Sequence, residues 1–251
     1  MTNIILSGCG GKMGGVITDI VANDENANIV CGLDINENIS RGYPVYKSAE
    51  DIKENADVII DFSHPSALDG ILKLAKAKNI PVVLATTGYT ENEIEKIKEA
   101  AKEIPVFFTF NFSLGVNLLV ALSKKAAAVL GNDFDIEIVE KHHNQKLDAP
   151  SGTAIMLANA LNSVFDDKMM YEYDRHSKRA KRAKNEIGIH SVRGGTIVGE
   201  HDVIFAGRDE VITLSHSAGS KQVFAAGSVK AAKFIVGKEP GMYDMNDVIK
   251  F

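Results

Sequence analysis

Several classes of protein are excluded by what this sequence lacks. Among 251 residues there are only two cysteines, Cys9 and Cys31, too few for a disulfide framework or a cysteine-based zinc cluster. Basic residues are in the minority, 28 against 33 acidic ones, and the net charge of −5 argues against a nucleic-acid partner because phosphate binding needs a cationic surface. The chain has no apolar run of about 18 residues, the length of a membrane span, and it does not begin with the cationic segment of a signal peptide. We expect a cytoplasmic protein with no membrane or nucleic-acid partner.

The first half of the chain alternates between strand and helix patterns. The composition, 45% hydrophobic and 24% charged, is typical of folded globular chains. Short apolar runs occupy residues 3–7, 28–33, 57–61, 81–85 and 105–110, and helical patterns include residues 65–78 and 91–103. This alternation predicts βαβ units and hence an α/β fold with a Rossmann-type doubly wound parallel sheet.

The pattern changes after residue 113. A long helix is predicted over 114–130, and a strand over 134–141 and a helix over 152–165 follow. A hairpin is predicted around Gly207-Arg208-Asp209. The strand-rich stretch predicts a second α+β domain on an open mixed sheet, and a helix over 223–236 returns to the first domain. The predicted domains are residues 1–113 plus 221–251, and residues 114–220.

A glycine-rich segment, Gly8-Cys9-Gly10-Gly11-Lys12-Met13-Gly14, lies between the first strand and its helix. Glycines let the backbone approach a pyrophosphate, and the helix start supplies N–H groups and a positive dipole end. The spacing is G-x-x-G-x-x-G rather than G-x-G-x-x-G. Asp34 ends the second strand 20 residues after Gly14, where an acid binds the adenosine ribose. A dinucleotide site is predicted, and a tight turn without a ligand is the alternative.

Polar clusters follow three more strands of the predicted sheet. They are Phe62-Ser63-His64-Pro65, Thr86-Thr87-Gly88 and Asn111-Phe112-Ser113. Ligands of doubly wound sheets bind beyond the carboxyl ends of the strands, so three clusters at one edge favour a cofactor-binding rim. Any one of them alone would more simply be turn or cap chemistry.

The most specific segment is Glu140-Lys141-His142-His143-Asn144-Gln145-Lys146-Leu147-Asp148-Ala149-Pro150-Ser151-Gly152-Thr153-Ala154. Histidine suits proton transfer near neutral pH, and a helix start at Gly152 and Thr153 suits a carboxylate. A metal is disfavoured because adjacent residues of a strand point to opposite faces. We predict acid–base chemistry and anion binding, with purely structural histidines as the alternative.

Two further features leave alternatives open. Arg193 is predicted either to bind a carboxylate ligand or to pair with Glu200 or Asp202. Six basic residues in the run 175–184 indicate either a solvated loop or a loop that attracts an anionic ligand or contacts a subunit.

Together these residues resemble the dihydrodipicolinate reductase family of the diaminopimelate–lysine pathway. The resemblance runs almost from end to end, and the His-His-x-x-Lys-x-Asp-Ala-Pro-Ser-Gly-Thr-Ala stretch carries most of it. It implies reduction of 4-hydroxy-tetrahydrodipicolinate to tetrahydrodipicolinate, with loss of water, by a homotetramer that needs no metal. The first domain would bind the dinucleotide, and the second would bind the cyclic dicarboxylate substrate and form the oligomer.

The resemblance also implies roles for individual residues. The pyrophosphate and adenosine ribose of NADH or NADPH would be bound by Gly8, Cys9, Gly10, Gly11, Lys12, Met13 and Asp34. The nicotinamide end would be held by Ala85, Thr86, Thr87, Thr109, Phe110, Asn111 and Phe112. The proton would come from His142, with Lys146 assisting, and the substrate would be bound by His143, Lys146, Gly152 and Thr153.

Departures from the family pattern concern the cofactor. Lys12 stands where many members have Arg, and no Arg follows Asp34, so only Lys12, Arg41 or Lys47 could offset repulsion between Asp34 and a 2′-phosphate. Lys221 likewise stands where some relatives have Arg. We expect both cofactors to work, with NADH at least as good.

Two other functions would explain part of the sequence. Another Rossmann-fold reductase, such as an amino-acid dehydrogenase, accounts for the glycine segment but not for His142–Thr153. A non-catalytic NAD-sensing protein would need neither a proton donor nor sites for two carboxylates.

Overall fold

The computed structural model describes residues 1–36 and 39–249, which form two compact units. The first unit contains Met1–Leu114 and Gln222–Phe251, and the second contains Gly115–Lys221. The predicted domain boundaries, after residues 113 and 220, each lie one residue before these. Assignment of dinucleotide and substrate binding to the two segments stays a prediction.

The first unit is built on a seven-stranded sheet in which every pair of neighbours is parallel. The strands are β1 (Thr2–Ser7), β2 (Ala27–Leu33), β3 (Val45–Tyr46), β4 (Val58–Asp61), β5 (Val82–Leu84), β6 (Pro105–Phe108) and β12 (Gly241–Tyr243). Their order is β12-β6-β5-β4-β1-β2-β3, so the direction of winding reverses between β1 and β4. The predicted doubly wound parallel sheet is confirmed.

Helices cover both faces of this sheet. They are α1 (Lys12–Ala22), α2 (Leu68–Lys78), α3 (Glu91–Ala100), α6 (Gln222–Ile235) and α7 (Met245–Val248). The core on one face contains side chains of α1 and α6, and the core on the other contains side chains of α2 and α3. The alternation along β1 supplies both cores, because Ile4 and Leu6 face α1 and α6 while Ile5 faces the opposite side.

Helix α6 packs unusually close to the backbone of Phe112, which explains a glycine in its middle. A Cβ atom on Gly227 would lie 1.7 Å from the carbonyl oxygen of Phe112, so no larger residue fits there. α6 thus belongs to the core of the first unit, with Ala225, Val229 and Ile235 buried.

The second unit has a five-stranded mixed sheet and two long helices. These elements are α4 (Leu114–Leu130), β7 (Asp135–His142), α5 (Gly152–Asn162), β8 (Met170–Glu172), β9 (Glu186–Arg193), β10 (Gly199–Ala206) and β11 (Val211–Ala218). The sheet order is β11-β10-β7-β9-β8, antiparallel on the β10 side of β7 and parallel on the β9 side. The predicted mixed sheet is confirmed.

Short 3₁₀ turns occur in both units, at Ala49–Asp51, Pro65–Ala67, Gly131–Asp133 and Ser163–Phe165.

Strand alternation in the second unit divides the sheet into a core face and an outer face. Ile136, Ile138 and Phe205 lie on the core face and are almost fully buried. The outer face carries their sequence neighbours, such as Glu137 and Val139, which are partly exposed. Side chains that share a face can interact across strands, and this division decides the pairings in the site below.

One segment of the described chain, Leu114–Asp133, is long and apolar enough to cross a bilayer by length and composition. It includes exposed Lys124 and Lys125, and its buried side includes Leu119 and Ala127 in the core of the second unit. Core helices pass the same test, so the segment is weak evidence for a membrane span.

Candidate functional site

The glycine segment lies between β1 and α1 and is shaped by close backbone contacts. Gly8 has φ +76°, and a Cβ on it would lie 2.4 Å from the carbonyl oxygen of Phe62. A Cβ on Gly14 would lie 2.4 Å from the carbonyl oxygen of Gly8, so the first turn of α1 packs directly on the loop. The N-cap residue Gly11 provides no side-chain hydrogen bond, which leaves the start of α1 suited to an anion.

Asp34 and Arg41 contact this loop from two sides. The Asp34 carboxylate accepts hydrogen bonds from the N–H of Gly10 at 2.8 Å and of Asn36 at 3.0 Å. The Arg41 guanidinium donates through Nε to the carbonyl oxygen of Cys9 at 3.1 Å. The cations considered for a 2′-phosphate were Lys12, Arg41 and Lys47. Of these, Arg41 has its guanidinium hydrogen-bonded to the backbone of the glycine loop.

Cys9 contributes its backbone rather than its thiol. Burial, with a smaller effect from the charge of Asp34, raises the pKa of the Cys9 thiol to about 11. The side chain is fully buried and stays a neutral thiol at physiological pH.

The polar clusters after β4 and β5 are joined by direct hydrogen bonds. Thr86 is buried, and its hydroxyl donates to Asp61 at 2.7 Å and accepts from the N–H of Ser63 at 3.0 Å. Thr87, next to it, is exposed. His64 instead caps a 3₁₀ turn, accepting from the N–H of Ser66, as the cap alternative predicts.

The cluster after β6 joins the same edge through aromatic contacts. Phe112 is buried, and its ring lies 6.1 Å from that of Phe62, which follows β4. Asn111 is also buried and accepts from the N–H of Ser113 at 2.8 Å. Phe110 is 85% exposed, and Thr109 hydrogen-bonds the Asn111 backbone at 3.4 Å. Among the residues predicted for the nicotinamide end, the side chains of Phe110 and Thr87 are exposed, whereas Ala85 and Phe112 are buried.

In the second unit, the alternation of β7 places Glu140 and His142 on the core face, two residues apart. His142 Nδ1 lies 2.6 Å from Oε2 of Glu140, which is fully buried. A carboxylate accepts hydrogen bonds only, so Nδ1 is the donor in this pair and Nε2 is the nitrogen left for other chemistry. Gly199 lies beside that nitrogen, since a Cβ on it would be 3.1 Å from Nε2.

Arg193 binds Glu140, and not Glu200 or Asp202 as one alternative held. Its two terminal nitrogens lie 2.8 and 2.7 Å from the two Glu140 oxygens. β9 pairs in parallel register with β7, which puts Arg193 beside His142 on the core face. Glu200 and Asp202 lie on the outer face of β10 and pair with Lys141 at 3.1 and 3.2 Å. The pleat of the sheet therefore separates them from Arg193.

The Glu140 carboxylate is held ionised by its surroundings. Burial acts to raise its pKa, but hydrogen bonds from Arg193, Ser191 and His142 outweigh burial and lower the pKa to about 2. The same carboxylate accepts the N–H of Ser151, at the start of α5, at 3.1 Å. Glu140 thus links His142 to the N-terminus of α5.

The start of α5 is the other part of this site. Ser151 is its N-cap and accepts from the N–H of Ala154 at 3.2 Å, while Gly152 and Thr153 form the first turn. Space beside Gly152 is open, with no heavy atom within 4 Å of where a Cβ would be. Lys146, on the loop between β7 and α5, pairs with Asp148 at 2.8 Å.

The sequence analysis assigned no role to Glu140, which it named only as the first residue of the motif, and none to His201. The Nε2 atom of His201 lies 3.1 Å from the Ser151 hydroxyl, and its ring is edge-on to His142 with the centroids 5.3 Å apart. Burial first, and then the charge of His142, lowers the pKa of His201 to about 4, so it is neutral at pH 7. The strict alternation of strands 135–142 and 199–206 is the signal that could have placed both residues on the core face.

The basic run 175–184 is partly neutralised within the second unit. Arg175 pairs with Glu186, Lys178 with Glu172, and Arg182 with Glu137 and Asp135. No group of three or more potential metal ligands occurs among residues 1–36 and 39–249.

Known proteins match both halves of the chain. The family model for the dihydrodipicolinate reductase N-terminus matches residues 2–112, and that for the C-terminus matches residues 115–249. The 4-hydroxy-tetrahydrodipicolinate reductases of Caldanaerobacter subterraneus subsp. tengcongensis and Clostridium novyi are 53% and 49% identical over 250 residues, covering 100% of this chain and 99% of each relative.

A solved structure is also similar over the whole length. Dipicolinate-bound dihydrodipicolinate reductase from Paenisporosarcina sp. TG-14 matches with a TM-score of 0.83 and 27% identity, over 99% of this chain and 100% of that one. The chain therefore belongs to the dihydrodipicolinate reductase family of oxidoreductases.

Proposed function

We propose that this protein reduces 4-hydroxy-tetrahydrodipicolinate to tetrahydrodipicolinate with loss of water, using NADH or NADPH, in diaminopimelate and lysine biosynthesis. The observation that carries the proposal is the buried Glu140 carboxylate, which binds both His142 and the start of α5. The Glu140 carboxylate thereby fixes a proton donor and an anion site beside each other. This arrangement suits the reduction of a ring that carries two carboxylates.

The glycine loop fits a dinucleotide. Cβ atoms at Gly8 and Gly14 would collide with the backbone of Phe62 and of Gly8, so glycine keeps the loop on its tight path, and α1 starts without a side-chain cap. Gly8 to Met13 would hold the pyrophosphate, Asp34 the adenosine ribose, and the exposed side of Thr87 and Phe110 the nicotinamide end. When bound, the reduced nicotinamide supplies a hydride to the substrate ring.

His142 would complete the reduction by delivering a proton. Hydride addition to a conjugated imine leaves negative charge on the ring system, and a positioned acid that neutralises it contributes roughly 10²–10⁴ in rate. Because Nδ1 is engaged by Glu140, the proton would leave from Nε2. Glu140 stays ionised and stabilises the imidazolium without taking the proton itself, since its pKa is about 2.

The two substrate carboxylates would use two different anion-binding regions. One fits the N–H groups at Gly152 and Thr153, where the space beside Gly152 is open. The other fits Lys146 and His143, with Lys146 exchanging its present partner Asp148 for the substrate. Lys146 also assists the protonation through its positive charge.

NADH should be at least as good a cofactor as NADPH. Asp34 is held at the loop by the N–H of Gly10 and would repel a 2′-phosphate, while Arg41, which donates to the same loop, would attract it. In a partly solvated site, the attraction from one cation and the repulsion from one carboxylate each amount to about 1 kcal/mol. The two effects nearly cancel, so neither cofactor is excluded.

The substitution Asp34→Ala removes the repulsion and should shift the ratio of kcat/KM values toward NADPH. A wild-type preference for NADPH above about tenfold would contradict this account.

The reaction is tested by following reduced-nicotinamide absorbance while the substrate is generated by the synthase that precedes this step. We expect oxidation of NADH that depends on both enzymes and on the synthase substrates. Dipicolinate, which is bound in the similar Paenisporosarcina structure, serves as a non-reacting probe of the substrate site. Absence of cofactor oxidation with folded protein and a working synthase would refute the proposal.

A homotetramer in the cytoplasm is part of the same proposal. The outer face of the five-stranded sheet exposes Val192 beside Lys141, which is itself paired with Glu200 and Asp202. A sheet face whose charges are already paired suits a second copy of this chain. Sedimentation at micromolar concentration should give four chains, and a monomer there would contradict the assembly.

A further inference from the structure

Asp61 ends β4 at the edge of the sheet where the dinucleotide is proposed to bind. Its side chain is fully buried, and its carboxyl group receives hydrogen bonds from three hydroxyls. Ser63 donates to Oδ1 at 2.5 Å, and Thr86 and Tyr89 donate to Oδ2 at 2.7 and 3.4 Å. A buried carboxyl group is costly without such partners, so the cluster is held together as a unit.

Two of these donors lie at the ends of the four-residue segment 86–89 that follows β5, which we call the clamped turn. Thr86 and Tyr89 both bind Oδ2 of Asp61, and the residues between them, Thr87 and Gly88, are exposed. Gly88 has φ +87°, a conformation that glycine adopts without strain. The clamped turn therefore offers its middle to a ligand while both of its ends are fixed to the sheet.

The third donor joins the clamped turn to the neighbouring loop. Ser63 donates its hydroxyl to Asp61 and its N–H to the Thr86 hydroxyl, at 3.0 Å. Phe62 follows Asp61 in the chain, and its carbonyl oxygen packs closely against Gly8 of the glycine loop. Asp61 is therefore hydrogen-bonded to the clamped turn, and the residue next to it in the chain contacts the glycine loop.

Burial and the charge of Asp61 raise the pKa of the Tyr89 hydroxyl, so this hydroxyl keeps its proton and remains a donor. The Tyr89 ring also packs edge-on against Phe108, with centroids 6.0 Å apart. The second end of the clamped turn is therefore held by both a hydrogen bond and an aromatic contact.

We propose that Asp61 is a positioning residue for the nicotinamide half of the dinucleotide. It would act through the clamped turn, setting where Thr87 and Gly88 meet the ligand, and would not touch the adenosine half. This inference rests on the proposed function, since it assumes that NADH or NADPH binds at this edge of the sheet.

The test compares two ligands on one variant. The substitution Asp61→Asn keeps the size of the side chain but replaces an acceptor oxygen with a donor, which the hydroxyl network can satisfy only in part. Titration calorimetry should show NADH binding weakened about tenfold, as expected if one hydrogen bond from the displaced clamped turn to the nicotinamide half is lost. Binding of ADP-ribose, which lacks the nicotinamide, should change less than about twofold, within the scatter of additive sites.

Further variants separate positioning from folding. Tyr89→Phe removes only one end of the clamped turn and should give the same split between NADH and ADP-ribose, but smaller. Asp69→Asn, an exposed carboxylate of the same unit paired with Lys96, is the matched control and should alter neither affinity. If Asp61→Asn does not fold, Tyr89→Phe and Thr86→Val carry the same test.

Two outcomes would overturn the inference and leave the proposed function standing. One is wild-type NADH affinity in folded Asp61→Asn and Tyr89→Phe. The other is an equal loss of NADH and ADP-ribose binding, which would mean that Asp61 only supports the fold. If the wild-type protein binds no NADH, the proposed function itself fails and this inference with it.

Discussion

The candidate cofactor and substrate sites are built from different parts of the chain. In the first unit the site is mainly backbone, where Gly8 and Gly14 allow close backbone packing and strand ends provide the edge. In the second unit it is a buried network of side chains, with Glu140 between His142 and Arg193. A backbone site is damaged by adding atoms, whereas a side-chain network is damaged by removing a charge. The following experiments test that difference.

The largest effect is expected for His142→Gln. It removes the proton donor and leaves the β7 scaffold, so kcat should fall roughly 10²-fold or more. The matched control is His176→Gln, on an exposed loop of the same unit, which should keep the wild-type kcat. Stopped-flow turnover with a thermal melt of each variant checks this. More than half of the wild-type rate, with chemistry shown to be rate-limiting, would contradict the role of His142.

The Glu140 network should make stability fall in acid. The folded pKa of Glu140 is about 2, below its usual value of 4.5, so its contribution is present above about pH 5 and is lost as pH falls toward 2. That contribution is about 3 kcal/mol. His201 acts in the same direction, because its unfolded form gains a proton near pH 6.5 while the folded form resists until about pH 4.

Denaturant unfolding between pH 7 and pH 3 measures this effect. Glu140→Gln should be destabilised at pH 7, since Arg193 loses its counter-charge, and should show a flatter acid dependence than wild type. Glu200→Gln, which changes an ion pair on the outer face, should retain the wild-type acid profile. Parallel profiles for wild type and Glu140→Gln would show that the network does not govern acid stability.

Lys146→Ala should weaken dipicolinate binding by about tenfold, because a charged hydrogen bond is worth about 1.5–3 kcal/mol. NADH affinity without substrate should stay unchanged. Lys168→Ala is a close control, since Lys168 also pairs with an aspartate two residues away, Asp166, and lies on the surface of the same unit. Loss of NADH binding in Lys146→Ala would mean that this lysine binds the cofactor, which would contradict its assignment to the substrate site.

Adding a methyl group at two glycines of the first unit should have opposite results. Gly14→Ala places a Cβ 2.4 Å from backbone and should cost about 1–3 kcal/mol and weaken NADH binding. Gly70→Ala, in α2 with nothing within 4 Å, should stabilise by about 0.5–1 kcal/mol and leave binding unchanged. Thermal melts and NADH titration of both variants check the pair. Equal behaviour of the two would mean that the glycine loop is not close-packed.

The sequence predicts regular elements better than the contacts between them. The predicted helix over 114–130 has the observed bounds, because a long apolar period is a strong signal. The strands Val45–Tyr46, Met170–Glu172 and Gly241–Tyr243 are too short to show a period, and they were missed. The helix predicted over 91–103 ends at Ala100, with a turn completing the segment.

Within the candidate site, the sequence predicts which residues take part but not how they pair. The motif from His142 to Thr153 was identified from its residue types and spacing. The partner of Arg193 was not, because it depends on which face of β9 the guanidinium occupies and on the parallel register with β7. No role was predicted for Asp61, since two of its three partners are 25 and 28 residues away along the chain.

The return of α6 to the first unit has a consequence for synthesis on the ribosome. The first 114 residues emerge without the helix whose Ala225, Val229 and Ile235 complete one face of their core. The second unit is continuous in sequence and has all of its core before α6 is made. Vectorial synthesis therefore favours the second unit as the first to finish folding, while the earlier-made sheet waits with one apolar face incomplete. A nascent chain stalled before residue 222 should be more exposed to protease in its N-terminal half than in the part made later.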